Sequence, residues 1–230
     1  MTSIDEWGIV YGMKRFIFRV LRVLFGLFLY ALGSCFVIQA NVGLGAWEAF
    51  SVGVSNITGL SIGDVVVVTG LFILVIDVLL REKIGVGTVL NTILIGKILD
   101  LLLWLGLIPK MTGFFDGLAV LLLGQVVICL GTFFYVGAGL GAGPRDSLMV
   151  AVGKRVSAVP IGAVRGMLEG AVLLLGWALG AKVGVGTVIS VFGISFIMQA
   201  TFHVLRFDVK AVKHESLLQT ARVLARGNKM

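Results

Sequence analysis

Six apolar runs, at 23–40, 62–80, 85–107, 116–138, 161–180 and 184–205, govern what this chain can fold into. Each is close to the roughly 20 residues that a helix needs to cross about 30 Å of hydrocarbon at 1.5 Å per residue. Between them they use up most of a 230-residue chain that is 58% hydrophobic and only 13% charged. Such a chain has too little polar sequence to coat a soluble domain. The period-2 alternation of a membrane β-barrel is absent. The predicted fold class is therefore an all-α membrane protein with six transmembrane helices.

The runs are not independent. With the chain shifted by 98 residues, Leu32-Gly33 meets Leu130-Gly131, Phe36 meets Phe134, Gly43 meets Gly141 and Gly45 meets Gly143. After one inserted residue the shift is 99. Ile62-Gly63 then meets Ile161-Gly162, and KIGVGTV at 83–89 meets KVGVGTV at 182–188. A duplication held in phase over this distance predicts two equivalent halves. The expected layout is a basic N-terminal segment at 1–22, a first membrane repeat at 23–107, a second at 116–205 and a basic amphipathic tail at 206–230. Trp7, Tyr11 and Phe16 suit a lipid interface. In the tail, Leu217, Leu218, Ala221 and Leu224 recur at helical spacing among Arg222, Arg226 and Lys229.

Each half also holds a short segment opened by Gly-x-Gly: GLGAWEAF at 43–50 leads into 46–58, and GAGPRDSL at 141–148 leads into 144–156. The first corner, 41–61, contains no Lys or Arg, whereas its twin at 139–160 contains three. Opposite charge bias in equivalent segments predicts opposite faces of the membrane, hence inverted three-helix repeats with short re-entrant or interfacial helices. With the N-terminus inside, six spans place fifteen of the nineteen Lys and Arg on the inner side, Lys110 and Lys182 outside, and Lys97 and Arg165 within spans. This is the expected cytoplasmic bias. An eight-span alternative leaves thirteen inside. The net charge of +7 thus reads as membrane topology, and nucleic acid is not an expected partner.

A helix N-terminus exposes unpaired N–H groups and partial positive charge. Glycines in front of it let the backbone turn and approach a ligand. Gly43, Gly45, Gly141 and Gly143 are accordingly candidates for lining a site, Arg145 for attracting an anionic group, and Glu48 and Asp146 for capping helices or holding a cation or proton. The bland reading is a tight turn with an acid in the first helical turn. Charges inside spans are costly and mark sites. Lys97 and Asp100 are spaced to pair on one face of the third span, and Arg165 and Glu169 on one face of the fifth. Asp77 is expected at the interface. Cys35 and Cys129 sit in apolar runs and read as packing residues. Metalloprotease, serine-hydrolase, Walker and Cys-x-x-Cys signatures are absent, so neither an enzyme nor a cofactor or metal site is expected.

The two corners, each followed by a GVGT helix start, resemble the YczE/YyaS/YitT-like group of bacterial integral membrane proteins. Trp47 matches that pattern with Glu48 in place of the more usual Asp, and Gly143-Pro144-Arg145-Asp146 matches the second corner. The resemblance implies a bacterial cytoplasmic-membrane protein, here with both termini cytoplasmic. It also sets the expectation that the short tail lacks the soluble C-terminal domain of larger relatives. The functional expectation is a small secondary transporter or exporter of a solute, an anionic one being favoured by Arg145. The alternative is a non-transporting scaffold or regulator of another membrane or biosynthetic system. The lipid bilayer is the other expected partner, with a second copy or another membrane protein as a further one.

Overall fold

Four glycines fix how the first helix of each repeat meets its twin. The computed structural model describes residues 3–156 and 161–227. In it, α1 (Ser3–Gln39) lies along α5 (Phe114–Gly137). Gly33 sits on the Gly124 carbonyl and Gly124 on that of Gly33. Gly26 and Gly131 repeat the exchange. A Cβ at any of these would strike the facing backbone, so the close approach depends on their having none. Contact order falls along one helix as it rises along the other, so α1 and α5 run antiparallel.

The remaining helices are α2 (Ala46–Thr58), α3 (Ile62–Leu79), α4 (Val86–Leu105), α6 (Pro144–Arg155), α7 (Ile161–Ala178), α8 (Val185–Val204) and α9 (Leu217–Gly227), with one 3-10 turn at Val209–Ala211. Among the described residues, five stretches are long and apolar enough to cross a membrane: Phe16–Gln39, Ile62–Leu79, Val86–Leu105, Phe114–Gly137 and Val185–Val204. α7, the counterpart of the fifth expected span at 161–180, is as long as α3 and, like it, carries two charged residues, Arg165 and Glu169. Their outer faces are apolar and exposed, as at Phe72, Trp104, Phe115 and Phe196. The basic lead-in is not a separate unit, because α1 runs through it without a break. The side chains of Trp7, Tyr11, Leu224 and Arg226, and Lys229 altogether, lie outside the described residues.

α2 and α6 have 13 and 12 residues. At 1.5 Å per residue neither exceeds about 20 Å, too short to span the hydrocarbon. Each packs on the opposite half: α2 on α7, and α6 on α3. The corners before them do likewise. Gly186 N–H donates to the Val42 carbonyl at 2.9 Å, and Gly87 N–H donates to the Leu140 carbonyl at 2.8 Å. Leu44 N–H adds a bond to Thr187 Oγ1 at 3.0 Å. Gly43 and Gly141 have φ of +142° and +126°, which side-chain-bearing residues rarely adopt. The GVGT starts are thus docking seats for the partner half's corner, and Thr88 and Thr187 also bond back to their own N-cap N–H groups.

The ends of the bundle differ in charge. Arg19 Nε donates to the Ala138 carbonyl at 2.7 Å, Lys154 pairs with Glu82 at 2.7 Å, and Arg155 bonds the Leu80 carbonyl at 2.9 Å. These contacts tie Arg19 of α1 to the end of α5 and the basic last turn of α6 to the turn after α3. The chain after α8 straps the same end. Glu215 N–H bonds the Gly139 carbonyl, Leu217 N–H bonds that of Ile84, and the Glu215 carboxylate pairs with Arg19 at 2.7 Å. At the other end the 106–113 loop covers the first corner through Met111 N–H to the Gln39 carbonyl, at 2.8 Å. Lys110 belongs to this loop.

Candidate functional site

Because the corners are exchanged, the N-termini of α2 and α6 meet inside the bundle. The guanidinium carbon of Arg145 lies 4.4 Å from the centre of the Trp47 ring. This is cation–π contact, worth about 0.5–2 kcal/mol. The two residues are 98 apart, so they hold the same place in the two repeats.

A chamber opens on each side of this contact. One lies under the α6 N-terminus against Asn91, Thr92 and Ile95 of α4. The other lies under the α2 N-terminus against Ser190, Val191 and Ile194 of α8. These triplets are equivalent at the shift of 99. Both chambers share Tyr30, Trp47, Arg145, Arg165 and Glu169. They offer about 100 and 70 Å³ of free space to water-sized molecules, well above the roughly 10–15 Å³ that one water needs.

Hydroxyls of the long helices hold the corner acids. Ser34 Oγ donates to Glu48 Oε1 at 3.2 Å, and the Tyr135 hydroxyl donates to Asp146 Oδ2 at 2.8 Å. Each carboxylate keeps acceptor capacity beyond these single bonds. Arg165 Nε donates to Glu169 Oε1 at 2.8 Å, one turn apart as expected. Arg145 has no hydrogen bond or ion pair among the described residues; the Trp47 ring is its charge partner. Neither helix start has a side-chain cap, since Gly45 and Gly143 occupy the cap positions.

Seven of the eleven residues singled out in the sequence therefore line one composite cavity: Gly45, Glu48, Gly143, Arg145, Asp146, Arg165 and Glu169. Gly43 and Gly141 stand behind it, packed on Thr187 and Thr88. They shape the corners and line neither chamber. Lys97 and Asp100 are elsewhere, and the expected pairing between them is not made. Lys97 pairs with Asp64 at 2.6 Å. Asp100 accepts from Ser61 Oγ at 2.5 Å and from Gly63 N–H at 2.7 Å, holding the start of α3. The α3–α4 contact at Gly63 and Gly96 brings these partners closer than the same-helix neighbour. Asp77, near the end of α3, follows Gly70 and Ile73 on its buried face, is 0% exposed, and among the described residues neither carboxylate oxygen has a partner. Cys35 and Cys129 are buried and free, as packing residues would be.

Sequence reasoning missed Tyr30, Tyr135, Asn91, Gln125 and Ser190 as lining residues. Trp47 was noted for its match, not for its contact. The available signal was the repeat itself: the residue equivalent to a candidate cation sits at the shift of 98.

No solved structure matches the chain. A protein of Haemophilus influenzae described as uncharacterized is 32% identical over 187 residues, covering 80% of this chain and 83% of that protein. The uncharacterized membrane protein YczE of Bacillus subtilis is 32% identical over 167 residues, covering 72% and 76%. Residues 17–203 match the family described as "Family of unknown function (DUF6198)". The matched segment holds both corners, both GVGT seats and the whole cavity between them, so the chain belongs to this YczE-like family of membrane proteins.

Proposed function

We propose that this protein is a small secondary transporter or exporter of the bacterial cytoplasmic membrane, not an enzyme, and that its solute binds between the Trp47 and Arg145 corners. The observation that carries the reading is the meeting of two short-helix N-termini at an Arg145 that forms no ion pair among the described residues. Broken or short helices ending at the centre of a repeat pair are a recurrent way for transporters to hold solutes. The reading includes six spans, α7 among them, arranged as inverted repeats. The antiparallel course of the equivalent helices α1 and α5 supports this. The basic end carrying Arg19, Lys154 and the strap faces the cytoplasm under the positive-inside bias, which puts both termini there. Two equivalent chambers meeting at one contact suit alternating exposure, with one chamber open to each side in turn. The chain carries no nucleotide-binding loop, so a gradient would drive movement.

Uptake into proteoliposomes across a metabolite panel tests this. The expected result is saturable uptake by the wild type that Arg145→Ala abolishes and Asp100→Asn spares. No uptake of any solute by wild type, with protein correctly inserted, overturns the reading and leaves the scaffold alternative.

A further inference from the structure

We infer that the cavity takes a zwitterion of the α-amino-acid type, a carboxylate and an ammonium on one small carbon frame; this rests on the solute-binding reading above. The α2 chamber is built for a ligand. Gln125 is 1% exposed and lines it, yet neither its amide nitrogen nor its amide oxygen has a protein partner among the described residues. Ser190, 3% exposed on the facing helix, is equally unpartnered. Burying such groups unmatched is unfavourable, so a polar ligand or its water is the natural complement.

The charges specify which ligand. Arg145 and the uncapped first turn of α2 offer donors and positive potential to a carboxylate. Glu48, bound only by Ser34 Oγ, and Glu169, paired with Arg165, border the same chamber and favour an ammonium. A purely anionic ligand would meet these two carboxylates, and a purely cationic one would meet the two arginines. Only a molecule carrying both signs matches the lining. Ile128 and Ile194 supply an apolar wall for its side chain.

The test is equilibrium binding to purified full-length protein in detergent, read by calorimetry. The twenty protein amino acids are the probes. Each one that binds is compared with its des-amino acid and its decarboxylated amine, for leucine 4-methylpentanoate and 3-methylbutan-1-amine. At least one amino acid is expected to bind, and both half-molecules at least tenfold more weakly. Gln125→Leu, which replaces an unmatched polar group with an apolar one of similar size and should fold at least as well, is expected to weaken the amino acid at least tenfold. Binding of no amino acid, equal binding of either half-molecule, or an unchanged Gln125→Leu overturns the inference. Binding without flux in proteoliposomes would sink only the transporter reading, whereas flux of a solute bearing a single charge would sink only this one.

Discussion

Arg145 stacks its guanidinium on the indole of Trp47, and the two residues are one position of an ancestral repeat seen twice. A charge and an aromatic ring occupy positions 98 residues apart in the sequence and meet inside the bundle. Everything proposed for this protein turns on that contact. Both residues line both chambers, and among the described residues Arg145 has no carboxylate partner.

Substitutions at this pair should separate charge from shape. Arg145→Lys keeps the charge but loses the planar stack and the donor fork. Solute affinity is expected to fall about tenfold, against complete loss for Arg145→Ala. Trp47→Phe should keep most of the function, and Trp47→Ala should resemble Arg145→Lys. Concentration dependence of uptake or binding for the four variants checks the order.

The corner glycines should be structural. Gly43→Ala and Gly141→Ala place a Cβ at positive φ against Thr187 and Thr88. Each is expected to cost about 2 kcal/mol or more. Gly166→Ala, a helical site with open space around it, should be neutral or gain up to about 1 kcal/mol. Thermal unfolding in detergent distinguishes them, and similar losses at Gly43 and Gly141 are expected from their matched roles.

Asp100 should matter for stability and not for solute. Asp100→Asn weakens the bonds from Ser61 and Gly63 at the start of α3. A loss of about 1–2 kcal/mol is expected, with solute affinity of the folded protein unchanged. A shift in affinity instead would return Asp100 to the site.

Strap docking should depend on pH. Burial pushes the His214 imidazole below its ordinary value, with the Asp146 charge pulling the other way. The docked state therefore prefers neutral His214, and its advantage is complete above the ordinary pKa of about 6.5. It is lost as pH falls through the lowered value, because the released strap takes up the proton first. Labelling of a Leu217→Cys probe should rise between pH 7.5 and 5.5, and His214→Asn should flatten that rise.

Much of this architecture is legible in the sequence because it is local. Four of the apolar runs mark membrane-length helices to within a few residues, and α2 and α6 follow their Gly-x-Gly corners as expected. The first run starts at 23, whereas its membrane-length apolar stretch starts at Phe16. The first GVGT start was read as helix geometry, and it is that, but it also seats the other half's corner. Exchange of this kind depends on which half packs on which, and no single segment encodes it. Lys97 and Asp100 were misjudged for the same reason. Their spacing permits a pair on one face, but close α3–α4 packing supplies Asp64, Ser61 and Gly63 instead. Asp77 lies near the end of α3, and its side chain turns inward, which the sequence around it does not show.

The central claim is that equivalent corners enter the bundle from opposite sides of the membrane and meet at Trp47 and Arg145. Single cysteines at Thr58 and Arg155, the far ends of α2 and α6, test it in a background where buried Cys35 and Cys129 are alanine. A membrane-impermeant maleimide should label Thr58→Cys only from outside intact cells and Arg155→Cys only in inside-out vesicles. Labelling of both from the same side would contradict the account.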